Sequence, residues 1–177
     1  MSILKFLKLE PEPGRSSTET ETVRKIAGAL DQMDPDRAKF IAAFAYLLSR
    51  AARADLMVTP EETSVMERIV MDKGGLPEEQ AVLVVQMAKT QNLLFGGTEN
   101  FLVTREFNRI ASPEQKLGLL HCLFAVSAAD ETITTLEDNE VSQIADELRI
   151  EHKDYIAVRS AFRDYLAVLK KSPGPAH

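Results

Sequence analysis

Apolar residues along most of this chain recur every three or four positions, the spacing that aligns one face of an α-helix. Val23, Ile26, Leu30 and Met33 form one such stripe, and Val65/Met66 with Ile69/Val70 form a second. Val141, Ile144 and Leu148 form a third, and Tyr155, Val158, Phe162, Tyr165 and Leu169 a fourth. Three further stretches, Phe40 to Ala54, Ala81 to Ala88 and Leu117 to Ala129, are apolar around most of the helical circumference, which marks helices packed centrally. Prolines punctuate the stripes. Asp34-Pro35, Thr59-Pro60 and Ser112-Pro113 each put a capping side chain before a proline, whose fixed φ and missing N–H suit the first helical position. Pro77 precedes Glu78-Glu79, an acidic first turn of the kind the helix dipole favours. Gly74-Gly75 and Gly96-Gly97 fall where C-terminal caps belong. Sustained period-two alternation and hairpin dipeptides are missing from the sequence. The pattern predicts an all-α fold, about seven to eight helices with short turns in a bundle.

Residues 1–18 stand outside that pattern. Ile3-Leu4-Lys5-Phe6-Leu7-Lys8-Leu9 runs into Pro11, Pro13, Gly14 and Ser16-Ser17, which read as linker. Lys170-Lys171-Ser172-Pro173-Gly174-Pro175 reads as a flexible end. The expected organisation is a flexible N-terminal segment (1–18), one helical domain (19–170) and a flexible tail (171–177), since 177 residues suit a single domain. No apolar stretch approaches the roughly 20 residues of a membrane span, and no secretory signal opens the chain, so a cytoplasmic protein is expected. The single cysteine, Cys122, rules out an internal disulfide and fits a reducing compartment.

Net charge is −6, from 21 basic and 27 acidic side chains, a balance unsuited to general nucleic-acid binding. Its distribution is uneven. Residues 54–79 carry −5 and residues 130–154 carry −7, while the remainder carries +6. The two acidic windows belong to one internal repeat at an offset of 75 residues. Asp55-Leu56-Met57-Val58-Thr59-Pro60-Glu61-Glu62 lies over Asp130-Glu131-Thr132-Ile133-Thr134-Thr135-Leu136-Glu137, sharing the pattern Asp-x-x-(Val/Ile)-Thr-x-x-Glu. Each copy is expected to be a helix, a turn opening at the aspartate, and a second helix starting at the threonine. Two such units suggest a pseudo-symmetric bundle.

Two readings of the motif stand side by side. In the first, Thr59 with Glu62 and Thr134 with Glu137 are capping boxes, and Val58 and Ile133 are hydrophobic staples. On this reading the chain is a ligand-free helical interaction module, an adaptor for a protein or membrane partner. In the second, Asp55, Glu62, Asp130 and Glu137 face one another across the repeat and bind a divalent cation, Mg²⁺, Ca²⁺ or Mn²⁺, the ions that oxygen-only ligands suit. Four carboxylates drawn together repel, and a cation relieves that repulsion. The seven-residue spacing from Asp to Glu excludes an EF-hand loop. The lack of His or Cys within either motif argues against zinc.

The two segments Ala-Arg-Ala-Asp55-x-x-Val-Thr-x-x-Glu62 and Ser-Ala-Ala-Asp130-x-x-Ile-Thr-x-x-Glu137, each between an apolar and an amphipathic helix, resemble the TerB-like family over residues 23–166. The closest likeness is to its small stand-alone bacterial members. The resemblance implies an all-helical fold, a metal site on Asp55, Glu62, Asp130 and Glu137, and an association with tellurite and general stress resistance. Family members commonly have glycine directly after the motif aspartate, where this chain has Leu56 and Glu131. Glycine tolerates positive φ and these residues do not, so the turn is a point of departure.

Other candidate chemistry is sparse. His121 and Cys122 are neighbours on one apolar helix and point about 100° apart, so they form no catalytic pair and read as buried helix residues. His152 and His177 read as exposed. Nucleotide loops, a nucleophile elbow and a His-Glu-x-x-His motif are missing from the sequence, and no catalysis is expected. Residues 3–9 offer weak peripheral membrane or partner contact, with Lys5 and Lys8 toward phosphates. Arg105 and Arg109, one turn apart, read as a solvated face.

Overall fold

The structure is a computed structural model that describes residues 17–52, 60–90, 100–129 and 131–169. Among these residues lie eight α-helices: α1 (Ser17–Asp31), α2 (Pro35–Ala52), α3 (Pro60–Gly74), α4 (Glu78–Lys89), α5 (Asn100–Ile110), α6 (Pro113–Ser127), α7 (Thr135–Glu147) and α8 (His152–Ala161). Two short 3-10 turns, Arg163–Tyr165 and Ala167–Leu169, follow. The all-α expectation holds. No described helix is long and apolar enough to cross a membrane. Residues 3–9, Gly96-Gly97 and the tail after Leu169 lie outside the described residues.

The prolines mark helix starts as expected. Pro35, Pro60 and Pro113 each begin a helix, and Pro77 caps α4. Asp34 Oδ1 accepts the N–H groups of Asp36 and Arg37 at 3.0 and 3.2 Å, capping α2. Ser112 and Gln115 exchange bonds of 2.8 and 3.1 Å, a capping box at α6 that satisfies two orphan N–H groups. Gly75, just past α3, takes φ +68, the left-handed cap that glycine adopts without a Cβ clash.

Helices α2 and α6 form the centre. Residues 40–49 of α2 are all buried, including Phe40, Ile41, Phe44, Leu47 and Leu48. α2 packs against α1, α4, α5, α6 and α7, and α6 packs against α2, α3, α7 and α8. α3 comes close to both central helices. A Cβ built on Gly118 would stand 3.2 Å from the Lys73 carbonyl oxygen, and one on Gly74 would stand 3.1 Å from Phe44 Cζ.

Two stripes differ from expectation. Val65 is 45% exposed, and the core face of α3 is Met66 and Val70. The fourth stripe stops at Phe162, because α8 ends at Ala161 and the chain extends at Leu166. Ile133 N donates to Tyr165 O at 2.7 Å and Ala167 N donates to Ile133 O at 2.9 Å, an isolated parallel bridge between Ile133 and Leu166. Burial therefore goes to Ile133 and Leu166, while Tyr165 and Leu169 face solvent. Ile133, expected as a staple, is a buried bridging residue.

Helix directions follow from a few contacts. Asp36, Arg37 and Phe40 near the start of α2 and Gln115 near the start of α6 line one cavity, so these two central helices start at the same end. Arg37 bonds Gln80 in the first turns of α4, so α4 starts there too. Lys89 Nζ, at the far end of α4, donates to Thr63 Oγ1 near the start of α3. α5 runs against α2, with Arg109 on Asp36 and Glu106 near Lys39. Asn108 of α5 donates to Glu147 O at 2.8 Å, which puts the end of α7 beside the early half of α2.

Candidate metal centre

These directions gather four helix ends at one pole of the bundle. The ends of α2 and α6 and the starts of α3 and α7 all lie opposite the cavity formed by the first turns of α2 and α6. The 75-residue repeat is kept in the helix boundaries, since Ala52 and Ser127 end α2 and α6 while Pro60 and Thr135 start α3 and α7. The packing of the two units is not identical, because α3 packs on α4 and α6 whereas α7 packs on α2 and α6.

Of the four predicted ligands, Glu137 is the one whose side chain is described. Its Oε2 accepts from Thr134 N and Thr134 Oγ1 at 2.8 Å each, while Glu137 N donates to Thr134 Oγ1 at 3.2 Å. That is the capping box of the first reading. It uses one carboxylate oxygen, Oε2, and leaves Oε1 outside the cap. Glu62 lies in the first turn of α3, and its side chain, like Asp55 and Asp130, lies outside the described residues. Among the described residues no group of three or more His, Cys, Asp or Glu side chains could hold a metal ion. Among the described residues, Ser127 Oγ, buried at the end of α6 three residues before Asp130, has no hydrogen-bond partner.

Glu131 resolves the glycine departure in the second copy. It takes φ +69, so the turn after Asp130 adopts the left-handed conformation without glycine. A side chain there costs on the order of 1–2 kcal/mol relative to an ordinary φ. The backbone path is thus the one a glycine would take, held by its surroundings.

Much of the acidic charge of residues 130–154 is committed to internal partners. Asp138 receives Arg159 Nε and Nη2 at 3.0 and 2.7 Å, fastening α8 to α7. Glu140 and Glu147 hold Arg50, whose side chain is 9% exposed: Nε meets Glu140 Oε1 at 2.7 Å, and Nη1 and Nη2 meet the Glu147 carboxylate at 2.8 and 3.2 Å. Burial opposes the Arg50 charge, but the bonds to Glu147 and Glu140 outweigh it and its pKa ends above the ordinary value. This cluster was not foreseen, yet a signal existed. Arg50 is the one charged residue between Phe40 and Ala52 of α2, and Glu140 and Glu147 are seven residues apart, two turns along one face of α7.

Cys122 is buried, with Sγ 3.7 Å from Ile69 O, and burial pushes its thiol up to about 12. Such a thiol is a packing group. His121 is half-buried, and burial with nearby Lys73 lowers its pKa. His152 is exposed, and His177 lies outside the described residues. Arg109 is not simply solvated, since its Nη2 meets Glu106 at 2.7 Å and Asp36 at 3.2 Å.

A family model described as tellurite resistance protein TerB matches residues 40–160. The chain belongs to the TerB family. No curated protein and no solved structure matches it. The TerB match runs from Phe40 in α2 to Ser160 in α8, so it takes in both helix-turn-helix units and the pole where their ends gather. α1 and the Ile133–Leu166 bridge partner at the C-terminal side lie outside the match.

Proposed function

We propose that this TerB-family chain binds one hard divalent cation, Mg²⁺, Ca²⁺ or Mn²⁺, through Asp55, Glu62, Asp130 and Glu137, and serves in tellurite or general stress resistance. The observation that carries this reading is the gathering at one pole of all four helix ends that flank the two motifs. One further feature supports it: Glu137 caps through Oε2, and its Oε1 takes no part in the cap. The donor set is oxygen only, as these ions require. The role is binding, with no catalytic step assigned.

Cation binding to the folded state raises its stability. At a hundredfold excess over Kd the gain is about 2.7 kcal/mol, or about 5–10 °C in Tm for a chain of this size. Asp55→Asn with Asp130→Asn should abolish that rise. An unchanged Tm with all three ions at millimolar concentration would refute the site.

The second reading, a ligand-free interaction module, is favoured by the Glu137 cap and by the exposed Leu136 beside it. Glu137→Gln separates the two, since glutamine keeps the capping box and removes the carboxylate charge. A cation response unchanged by Glu137→Gln removes this residue from the ligand set. A weakened response with an unchanged apo Tm supports it.

A further inference from the structure

At the pole opposite the motifs, a cavity of about 420 Å³ opens between the starts of α2 and α6 and the end of α5, within the range usual for small-molecule sites. Arg37 is its unexplained residue. It sits in the first turn of α2, where the helix dipole favours anions rather than cations. It is half-buried, with its guanidinium 4.9 Å above the Phe40 ring. Its Nε and Nη2 both donate to Gln80 Oε1, a neutral acceptor, and among the described residues it pairs with no carboxylate. Burial holds its pKa below the ordinary value. Arg109 on the same wall differs, because Glu106 and Asp36 both hold it. With Nε and one Nη2 hydrogen on Gln80, the Nη1/Nη2 edge of Arg37 keeps the parallel N–H pair that binds a carboxylate bidentately.

We infer that this cavity binds a small organic monocarboxylate, its carboxylate on the Arg37 fork and its apolar body against Ile110. The charge of the lining selects that class. Arg37 and Arg109 balance Asp34 and Asp36, so a monoanion leaves the site at −1, whereas a phosphate dianion would leave −2 beside two aspartates. Both aspartates are already engaged, Asp34 by the N–H groups of Asp36 and Arg37 and Asp36 by Arg109. The site is independent of the cation reading at the other pole.

The test is calorimetric titration of the full chain with benzoate and, separately, with inorganic phosphate. Benzoate is expected to bind saturably and more tightly than phosphate. Arg37→Gln should weaken benzoate about ten- to hundredfold, the effect of losing a charged bidentate pair. Asp34→Asn keeps the cap of α2 and removes a repelling charge, so it should tighten benzoate a few-fold, a gain that misfolding cannot imitate. Absence of saturable benzoate binding, tighter phosphate than benzoate, or Asp34→Asn binding no better than the parent would overturn the assignment.

Discussion

Replacing Arg50 by methionine tests the cluster that ties the end of α2 to α7. The substitution keeps an unbranched side chain of similar length and removes three charged hydrogen bonds, one to Glu140 and two to Glu147. Hydrogen bonds to charged groups contribute about 1.5–3 kcal/mol each in favourable settings. Glu140 and Glu147 keep 34% and 25% of their side-chain surface, so solvent screens the orphaned carboxylates and the total is well below a simple sum. A net loss of about 2–3 kcal/mol follows, below the ~3–5 kcal/mol of a fully buried pair. For a chain this size that is a Tm fall of about 5–10 °C at pH 7.

The pH dependence supplies the refutation. Burial raises the pKa of Glu147, but Arg50 and Gln143 more than reverse this, and it ends below its ordinary 4.5. A depressed carboxylate contributes stability above its unfolded pKa and loses it as pH falls through the folded one. The deficit of Arg50→Met should therefore be full at pH 7 and shrink steadily below about pH 4.5. Thermal unfolding followed by circular dichroism at pH 7, 5 and 4 measures this. An equal deficit at all three values would mean that the loss is packing and not charge, and the reasoning would fail.

Glu131→Gly should raise stability by about 1 kcal/mol by removing the Cβ from a left-handed turn, read as a higher urea midpoint; a lower midpoint would contradict the strain argument. Gly118→Ala should destabilise by about 1–2 kcal/mol, because crowding against the Lys73 carbonyl exceeds the helix-propensity gain of ~1 kcal/mol, and a neutral urea curve would count against the close α3–α6 approach. Cys122 should resist a thiol reagent at pH 8 until the protein unfolds, and rapid labelling of the native chain would contradict its burial.

Much of the fold was legible because local signals agreed with tertiary packing. Asp34-Pro35 and Ser112-Pro113 start helices through chemistry carried within a few residues, Pro60 starts another, and the apolar stretch from Phe40 became the buried centre of α2. Tyr165 and Leu169 continued a helical period, but Leu166 pairs with Ile133, more than thirty residues earlier, and no local pattern reports such a bridge. The candidate site divides in the same way. The repeated motif and its helix boundaries are local and readable. The Glu137 cap was one of the two readings its spacing allowed. The gathering of the four helix ends depends on contacts such as Asn108 with Glu147 and Lys89 with Thr63, which join distant parts of the chain. Arg50 was hidden because its partners lie 90 and 97 residues away. Glu131 shows the limit of residue preference, since the fold imposes on glutamate a conformation that glycine adopts freely.

The central claim is cation binding at the shared pole of the two motifs, and its most direct measurement is calorimetric titration of chelator-treated protein with Mg²⁺, Mn²⁺ and Ca²⁺. Saturable binding of about one cation per chain is expected for at least one of these ions, as a site shared by four carboxylates requires, and is expected to be lost in the chain carrying Asp55→Asn and Asp130→Asn. No binding heat from any of the three ions at millimolar concentration, or binding unchanged by that double substitution, would contradict it.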